Sequence, residues 1–246
     1  MQPFADKALL YGHTASEAIA EVLWPTRCAV CDAPGEVLCD ACRRNLPYLD
    51  WWRACPACGA PFGRTQCTEC NRTMLAGTGY ARPPFASCAS AVVYAEGAPR
   101  IVRAYKDHGE RRLAADIARI MFQTAHPTWL AEAQAIVAVP ATAKARRHRG
   151  FDHMAEVAKE LSIRTGIPLV HPFARPRSFD QRGLGRAERM ANLAGRIQTT
   201  PGASIPVSVL LIDDVYTTGA TLFSASDVLA AAGAECVRCL TFARVY

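Results

Sequence analysis

The sequence predicts an α/β protein whose mainly parallel sheet is covered by helices on both faces and preceded by a small cysteine-rich domain. Three observations carry that expectation. Strand-like and helix-like segments alternate from about residue 86 onward, four CxxC pairs crowd the first third, and residues 208–222 read SVLLIDDVYTTGATL. Such alternation means parallel strands joined by helical crossovers.

With 246 residues, half of them apolar, the chain has room for one domain of about 150 residues and a smaller one. No run of 18 apolar residues occurs, and the opening MQPFADKALLYGH carries the acid Asp6 and no long apolar stretch. The expectation is a cytoplasmic protein with no membrane insertion and no secretion signal.

The cysteines divide the chain. Eight of the eleven form the pairs Cys28/Cys31, Cys39/Cys42, Cys55/Cys58 and Cys67/Cys70. Two cysteines separated by two residues in a tight turn present both thiolates to one tetrahedral ion, and two such knuckles complete a four-cysteine zinc site. Four knuckles therefore make two structural zinc sites, with sequential pairing (28 to 42, 55 to 70) favoured over crossed pairing. Disulfides are disfavoured without a secretion signal, and four redox motifs in so short a span would be unusual. Residues 1–85, with an N-terminal helix, form the expected zinc domain, and metal would supply much of its folding energy. Trp24, Trp51 and Trp52 flank the knuckles and are expected to pack that domain rather than stack on bases. Cys236 and Cys239 imitate a knuckle, but ECVRCLTFARVY reads as a strand, on which residues three apart face opposite ways. They and Cys88 are expected to be small buried apolar residues.

Residues 86–246 form the second expected domain. Strands are predicted at 90–94, 135–139 and 168–171, and helices at 99–105, 113–123, 153–165 and 187–195. The apolar run 209–212 is too short for a buried helix and reads as a buried strand ending at Asp213 and Asp214. Leu222, Ala225, Val228, Leu229 and Ala232 recur at helical spacing behind it, and Gly233 is a helix stop. Between strand and helix, Thr217, Thr218, Gly219, Ala220 and Thr221 leave backbone N–H groups and hydroxyls free at a helix N-terminus, which favours an anion.

Two carboxylates beside a phosphate cradle suit a ribose 5-phosphate. The segment resembles the PRPP-binding signature of type I phosphoribosyltransferases: apolar residues, two acids, two variable residues, then Thr-Gly and a small residue before Ser or Thr. A P-loop NTPase is excluded, because no GxxxxGK[ST] occurs; a receiver-type or merely structural acid pair would leave the Thr-rich turn unexplained.

The formal charge of +6 lies wholly in the second part, where residues 144–196 carry twelve Lys/Arg against five Asp/Glu. That field suits a polyphosphate or nucleic acid. The segment ATAKARRHRGFDH follows a strand and reads as a flexible basic loop. Ala141, Thr142, Lys144 and Arg149 in it are candidates for a pyrophosphate, with phosphate-backbone contact as the alternative. Lys106 reads equally as a pyrophosphate contact or a solvated lysine, and Arg189 with Asn192 as a pocket or a structural network. His148 and His153 lack metal-ligand spacing and are expected on the surface.

In order, the knuckles from Cys28, the stretch from Tyr94 to Lys106, Val139-Pro140, Arg149-Gly150-Phe151, the Gln181 to Asn192 region and DDVYTTGAT resemble the ComF family, also described as competence-protein F or GntX-like phosphoribosyltransferases. Family members commonly follow Arg-Gly-Phe with Asn-Gln where this chain has Asp152-His153, and carry an aliphatic residue at Tyr216. The resemblance implies a type I phosphoribosyltransferase-like fold. It also implies transfer of phosphoribosyl from PRPP, with Mg²⁺, to an unknown acceptor, and a link to DNA uptake. Asp213 and Asp214 would hold the ribose hydroxyls, and either could take a proton from the nucleophile. The alternative is a non-catalytic PRPP sensor, single-stranded DNA binder or adaptor for DNA-uptake proteins.

Overall fold

The computed structural model describes residues 25–174 and 195–246. By internal packing the chain divides into two compact units, Met1–Asn45 and Leu46–Tyr246. The expected N-terminal helix, Trp24, the helix at 187–195 (through residue 194), Arg189 and Asn192 lie outside the described residues.

Among the described residues of the smaller unit, the chain makes a tight loop and a short helix. Asp32 N–H returns to Cys28 O (2.9 Å), Arg27 pairs with Pro34 in an isolated bridge, and helix α1 (Asp40–Arg44) follows with Cys39 as its N-cap. The larger unit begins with a loop region, 46–86, that contains the second set of knuckles and adds no helix or strand of its own.

The sheet follows: β1 (Ser87–Val93), β2 (Ala135–Ala138), β3 (Leu169–Val170), β4 (Ser208–Tyr216) and β5 (Cys236–Arg244), all parallel, in the order β1-β5-β4-β2-β3. Helices α2 (Ala98–Lys106), α3 (Leu113–Thr124), α4 (Pro127–Glu132), α5 (Ala143–Arg149), α6 (His153–Thr165) and α7 (Ala220–Ala231) connect them. Both faces of the sheet are covered. Val209 and Leu211 share a core with Leu222, Ala225 and Leu229 of α7. Leu210 and Ile212, equally buried, point by strand alternation to the other face, where α6 packs on β2 and β4.

Local chemistry explains most boundaries. Helix α6 starts where the Asp152 carboxylate accepts from Ala155 N–H (3.2 Å) and stops at Gly166 in the left-handed conformation (φ +74°). Two expectations are corrected. The strand does not end at Asp213: its ladder with β5 continues to the pair Tyr216–Arg244, so both acids lie inside β4. The basic segment after β2 is not simply a flexible loop, because Thr142 caps the amide of Ala145 (3.2 Å) and starts α5. Cys239 and Cys88 are buried in the sheet as expected, while Cys236 is half-buried. Trp51 and Trp52, expected to pack the cysteine-rich domain, are 66% and 55% exposed. No helix among the described residues is long and apolar enough to cross a membrane.

Strand order places the site. From β2 the chain crosses to β3 on one side, and from β4 to β5 on the other, although β2 and β4 are neighbours. The loops after these two strands therefore diverge and open a crevice at their carboxyl ends, where ligands of open α/β sheets bind. One wall is 139–142 after β2; the other is the acid pair and the turn after β4.

Candidate functional site

Asp214 is the hub of the crevice. Its Oδ1 accepts from Val215 N–H (2.5 Å), and its Oδ2 accepts from His153 Nε2 (2.6 Å) and ion-pairs with Lys106 Nζ. Lys106 reaches it as the last residue of α2, whose buried face of Ala98, Ile101, Val102 and Tyr105 fixes the helix on the core. Tyr105 donates to His153 O (2.6 Å) and so ties α2 to the start of α6. Arg149 donates to His153 Nδ1 (3.3 Å). Arginine has no acceptor, so His153 takes the Nε2–H tautomer that donates to Asp214. Asp213 accepts from Asp214 N–H through Oδ1 (2.9 Å).

The two acids are driven apart. Burial pushes Asp214 up, but Lys106 and His153 outweigh it and hold the carboxyl well below its ordinary range. Burial, and then the Asp214 charge, raise Asp213 to about 8, only partly opposed by Lys106. The crevice thus holds one carboxylate and one carboxylic acid near neutral pH, with a lysine beside them. A folded-state pKa above the unfolded value means the native protein binds the extra proton between about pH 4 and 8. Stability from this group is therefore fully present below about pH 4 and lost as pH rises toward 8, with a slope of at most about 1.4 kcal/mol per pH unit. Urea midpoints are expected to fall across that window in the wild type and to fall less in Asp213→Asn; parallel profiles would refute the assignment.

Behind the acids, Thr217 is exposed and Thr218 and Thr221 are half-buried. Gly219 caps α7 with φ +81°, and Thr218 Oγ1 accepts from Ala220 N–H (3.5 Å). Gly219, left-handed at the start of a twelve-residue helix, sits where the first N–H groups of the helix have no intrahelical partners. On the opposite wall Ala141 N–H donates to the Asp152 carboxylate (3.4 Å) and the Thr142 hydroxyl is occupied in capping α5. Lys144 and His148 are exposed, and Arg149 is half-buried against His153.

His153 is the correction here. Expected on the surface, it is 6% exposed and bonded to the central acid. Sequence reasoning missed it because its partner lies 61 residues away; the local signal was the Asp152 cap, which fixes His153 as the first residue of α6.

The eight knuckle cysteines gather into two clusters, Cys28/Cys31/Cys39/Cys42 and Cys55/Cys58/Cys67/Cys70, with all sulfurs of each within 4.8 Å of one another. Sequential pairing is therefore what the fold makes. Sulfur separations of 3.8 Å (Cys31–Cys39), 3.7 Å (Cys55–Cys70) and 3.6 Å (Cys58–Cys67) match the edge of a tetrahedron about a zinc ion, about 3.8 Å for bonds of about 2.3 Å. Hydrogen bonds with Cys58 and Cys70 hold the Cys55 thiol far below its ordinary value, while the contact with Cys55 drives Cys58 up. The donor set fits structural zinc: four sulfurs complete the coordination and leave no open position for a substrate.

Residues 19–74 match the model of the double zinc ribbon domain. Competence protein ComFC of Bacillus subtilis (strain 168) is 25% identical over 199 residues, 80% of this chain and 79% of that one. Among solved structures, orotate phosphoribosyltransferase from Aeropyrum pernix covers 59% of this chain and 76% of its own at 18% identity (TM-score 0.34). Adenine phosphoribosyltransferase from Leishmania tarentolae covers 56% and 59%, also at 18% identity (TM-score 0.33). The class that fold and site define is an open parallel α/β protein with an acid pair on its central strand and two four-cysteine clusters, the region of the clusters matching a double zinc ribbon. Over most of its length the chain is similar to that competence protein.

Proposed function

We propose that the crevice binds PRPP with Mg²⁺ and that the protein transfers its phosphoribosyl group to an acceptor, with release of pyrophosphate. The observation that supports this reading is the meeting of Asp213, Asp214 and the Gly219 turn at the point where the sheet reverses its winding. In this reading the N–H groups and hydroxyls of Thr217, Thr218, Gly219, Ala220 and Thr221 hold the 5-phosphate. Asp213 and Asp214 accept from the vicinal ribose hydroxyls. Lys144 and Arg149, with the backbone at Ala141 and Thr142, face the pyrophosphate from the other wall.

Lys106 has a defined part in the exchange. A ribose hydroxyl arriving at Asp214 displaces the ammonium from the carboxylate and frees it for the leaving pyrophosphate, so the site carries its counter-charge before substrate arrives. His153 keeps Asp214 oriented throughout. Mg²⁺, held mainly by pyrophosphate and ribose oxygens with the acid pair as the nearest protein donors, would neutralise charge on the leaving group. The likeness to a competence protein makes a role in DNA uptake part of the same proposal.

Titration calorimetry of PRPP with Mg²⁺ into the wild type and into Asp213→Asn/Asp214→Asn tests the site, with pyrophosphate release assayed on the same samples. Micromolar binding in the wild type and at least a hundredfold weaker binding in the double variant are expected. Equal binding, or none in either, would refute the assignment.

A further inference from the structure

We propose that Arg244 is a positioning residue through which the second cysteine cluster, in its metal-bound form, sets the shape of the turn that the preceding section reads as the 5-phosphate site. Arg244 ends β5 with no exposed surface, and no carboxylate among the described residues forms an ion pair with it. A buried guanidinium without counter-charge is costly. Its contacts lead in two directions. Toward the cluster, it donates to Cys58 O (2.6 Å) and to Cys58 Sγ (3.8 Å), while its Nε finds no partner. Toward the site, its guanidinium lies 3.9 Å from the centroid of the Tyr216 ring.

The counter-charge belongs to the loaded cluster. Four thiolates around one divalent ion leave two negative charges, and Arg244 meets them through Cys58, the most buried of the four ligands. Without the ion, nothing fixes the four sulfurs around Cys58, the residue that Arg244 touches.

The other direction ends at the turn. Tyr216 and Arg244 are register partners on β4 and β5, so the stack is built into the ladder. Tyr216 in turn touches Gly219, where an added Cβ would stand 2.4 Å from the tyrosine hydroxyl and 2.7 Å from its Cζ. The cluster also has little slack against the sheet, since a Cβ at Gly59 would fall 2.6 Å from Cys88 O on β1. Cys58, Arg244, Tyr216 and Gly219 therefore form one unbroken line of contacts from the second cluster to the turn, packed tightly enough that a shift at one end must be taken up at the other.

Hydrogen exchange of the 214–223 amides, measured without PRPP, tests this line in zinc-loaded protein. The comparison sets wild type against Arg244→Met, against Cys67→Ser, which opens the second cluster, and against Cys31→Ser, which opens the first. Exchange at 214–223 is expected to speed up at least tenfold in Arg244→Met and Cys67→Ser, with no further gain when the two are combined. Arg244→Met is expected to keep two zinc ions and wild-type protection at 209–212, and Cys31→Ser to leave the turn unchanged. Should Arg244→Met fail to fold, Arg244→Lys, which keeps the charge but not the flat stack, is expected to retain zinc and speed turn exchange at least threefold. Wild-type protection of the turn in either Arg244 variant overturns the proposal, as does loss of protection spread evenly over the sheet. PRPP calorimetry on the same wild type reports separately on the ligand, so failure of the 5-phosphate reading and failure of the Arg244 link give different results.

Discussion

Cys58→Ser is expected to destabilise the larger unit by more than about 3 kcal/mol and to lower its melting temperature by roughly 10 °C. Three losses coincide at this residue. A fully buried sulfur that completes a tetrahedral site becomes a shorter, harder hydroxyl, and metal-binding energy that serves as folding energy is lost with it. Arg244 loses the sulfur to which it donates. The loop 46–86, which has no helix or strand of its own, loses what orders it on β1. Zinc content should fall from two ions per chain to one, and thermal unfolding followed by circular dichroism reads the stability. Retention of both ions, or a melting temperature unchanged within 2 °C, would show that the second cluster does not support the sheet.

Gly219→Ala is expected to weaken PRPP binding at least a hundredfold. Two costs act together. The backbone at φ +81° disfavours any Cβ by about 1 kcal/mol or more, and the Cβ would collide with Tyr216 and stand 3.0 Å from Phe223 Cε1. Neither ring can yield easily: Tyr216 is held from its other side by Arg244, and Phe223 packs edge-on against Tyr80 and Phe85. The turn must move instead, which redirects the N–H groups that would hold the 5-phosphate. Gly233→Ala is the matched control. It has φ +112° with nothing within 4 Å of the added Cβ, so it carries the backbone cost alone and should leave PRPP affinity within twofold of wild type. Equal losses in both variants would mean that backbone strain, not the Tyr216 contact, governs the turn.

Much of this architecture was legible in the chain because its signals are local. Helix α6 has the predicted bounds, since an aspartate cap and a left-handed glycine act on their own neighbours. The knuckles pair sequentially because short loops close at small entropic cost. The acid pair and its turn were readable as a contiguous motif.

What the sequence by itself determined about this protein is the alternation that makes a parallel sheet, the eight metal-ligating sulfurs and the acid-rich strand with its glycine turn. Tertiary structure alone decided how far β4 runs, because its last pairs are supplied by β5. It decided that Trp51 and Trp52 face outward, and that His153 and Lys106 converge on Asp214 from helices that begin or end far from it in the chain. It also carried Arg244 to Cys58 across 186 residues. The reason is physical: caps, knuckles and turns are satisfied by atoms a few residues away, whereas a buried charge takes whatever partner the packed fold brings within reach, and that partner leaves no periodicity or spacing in the sequence.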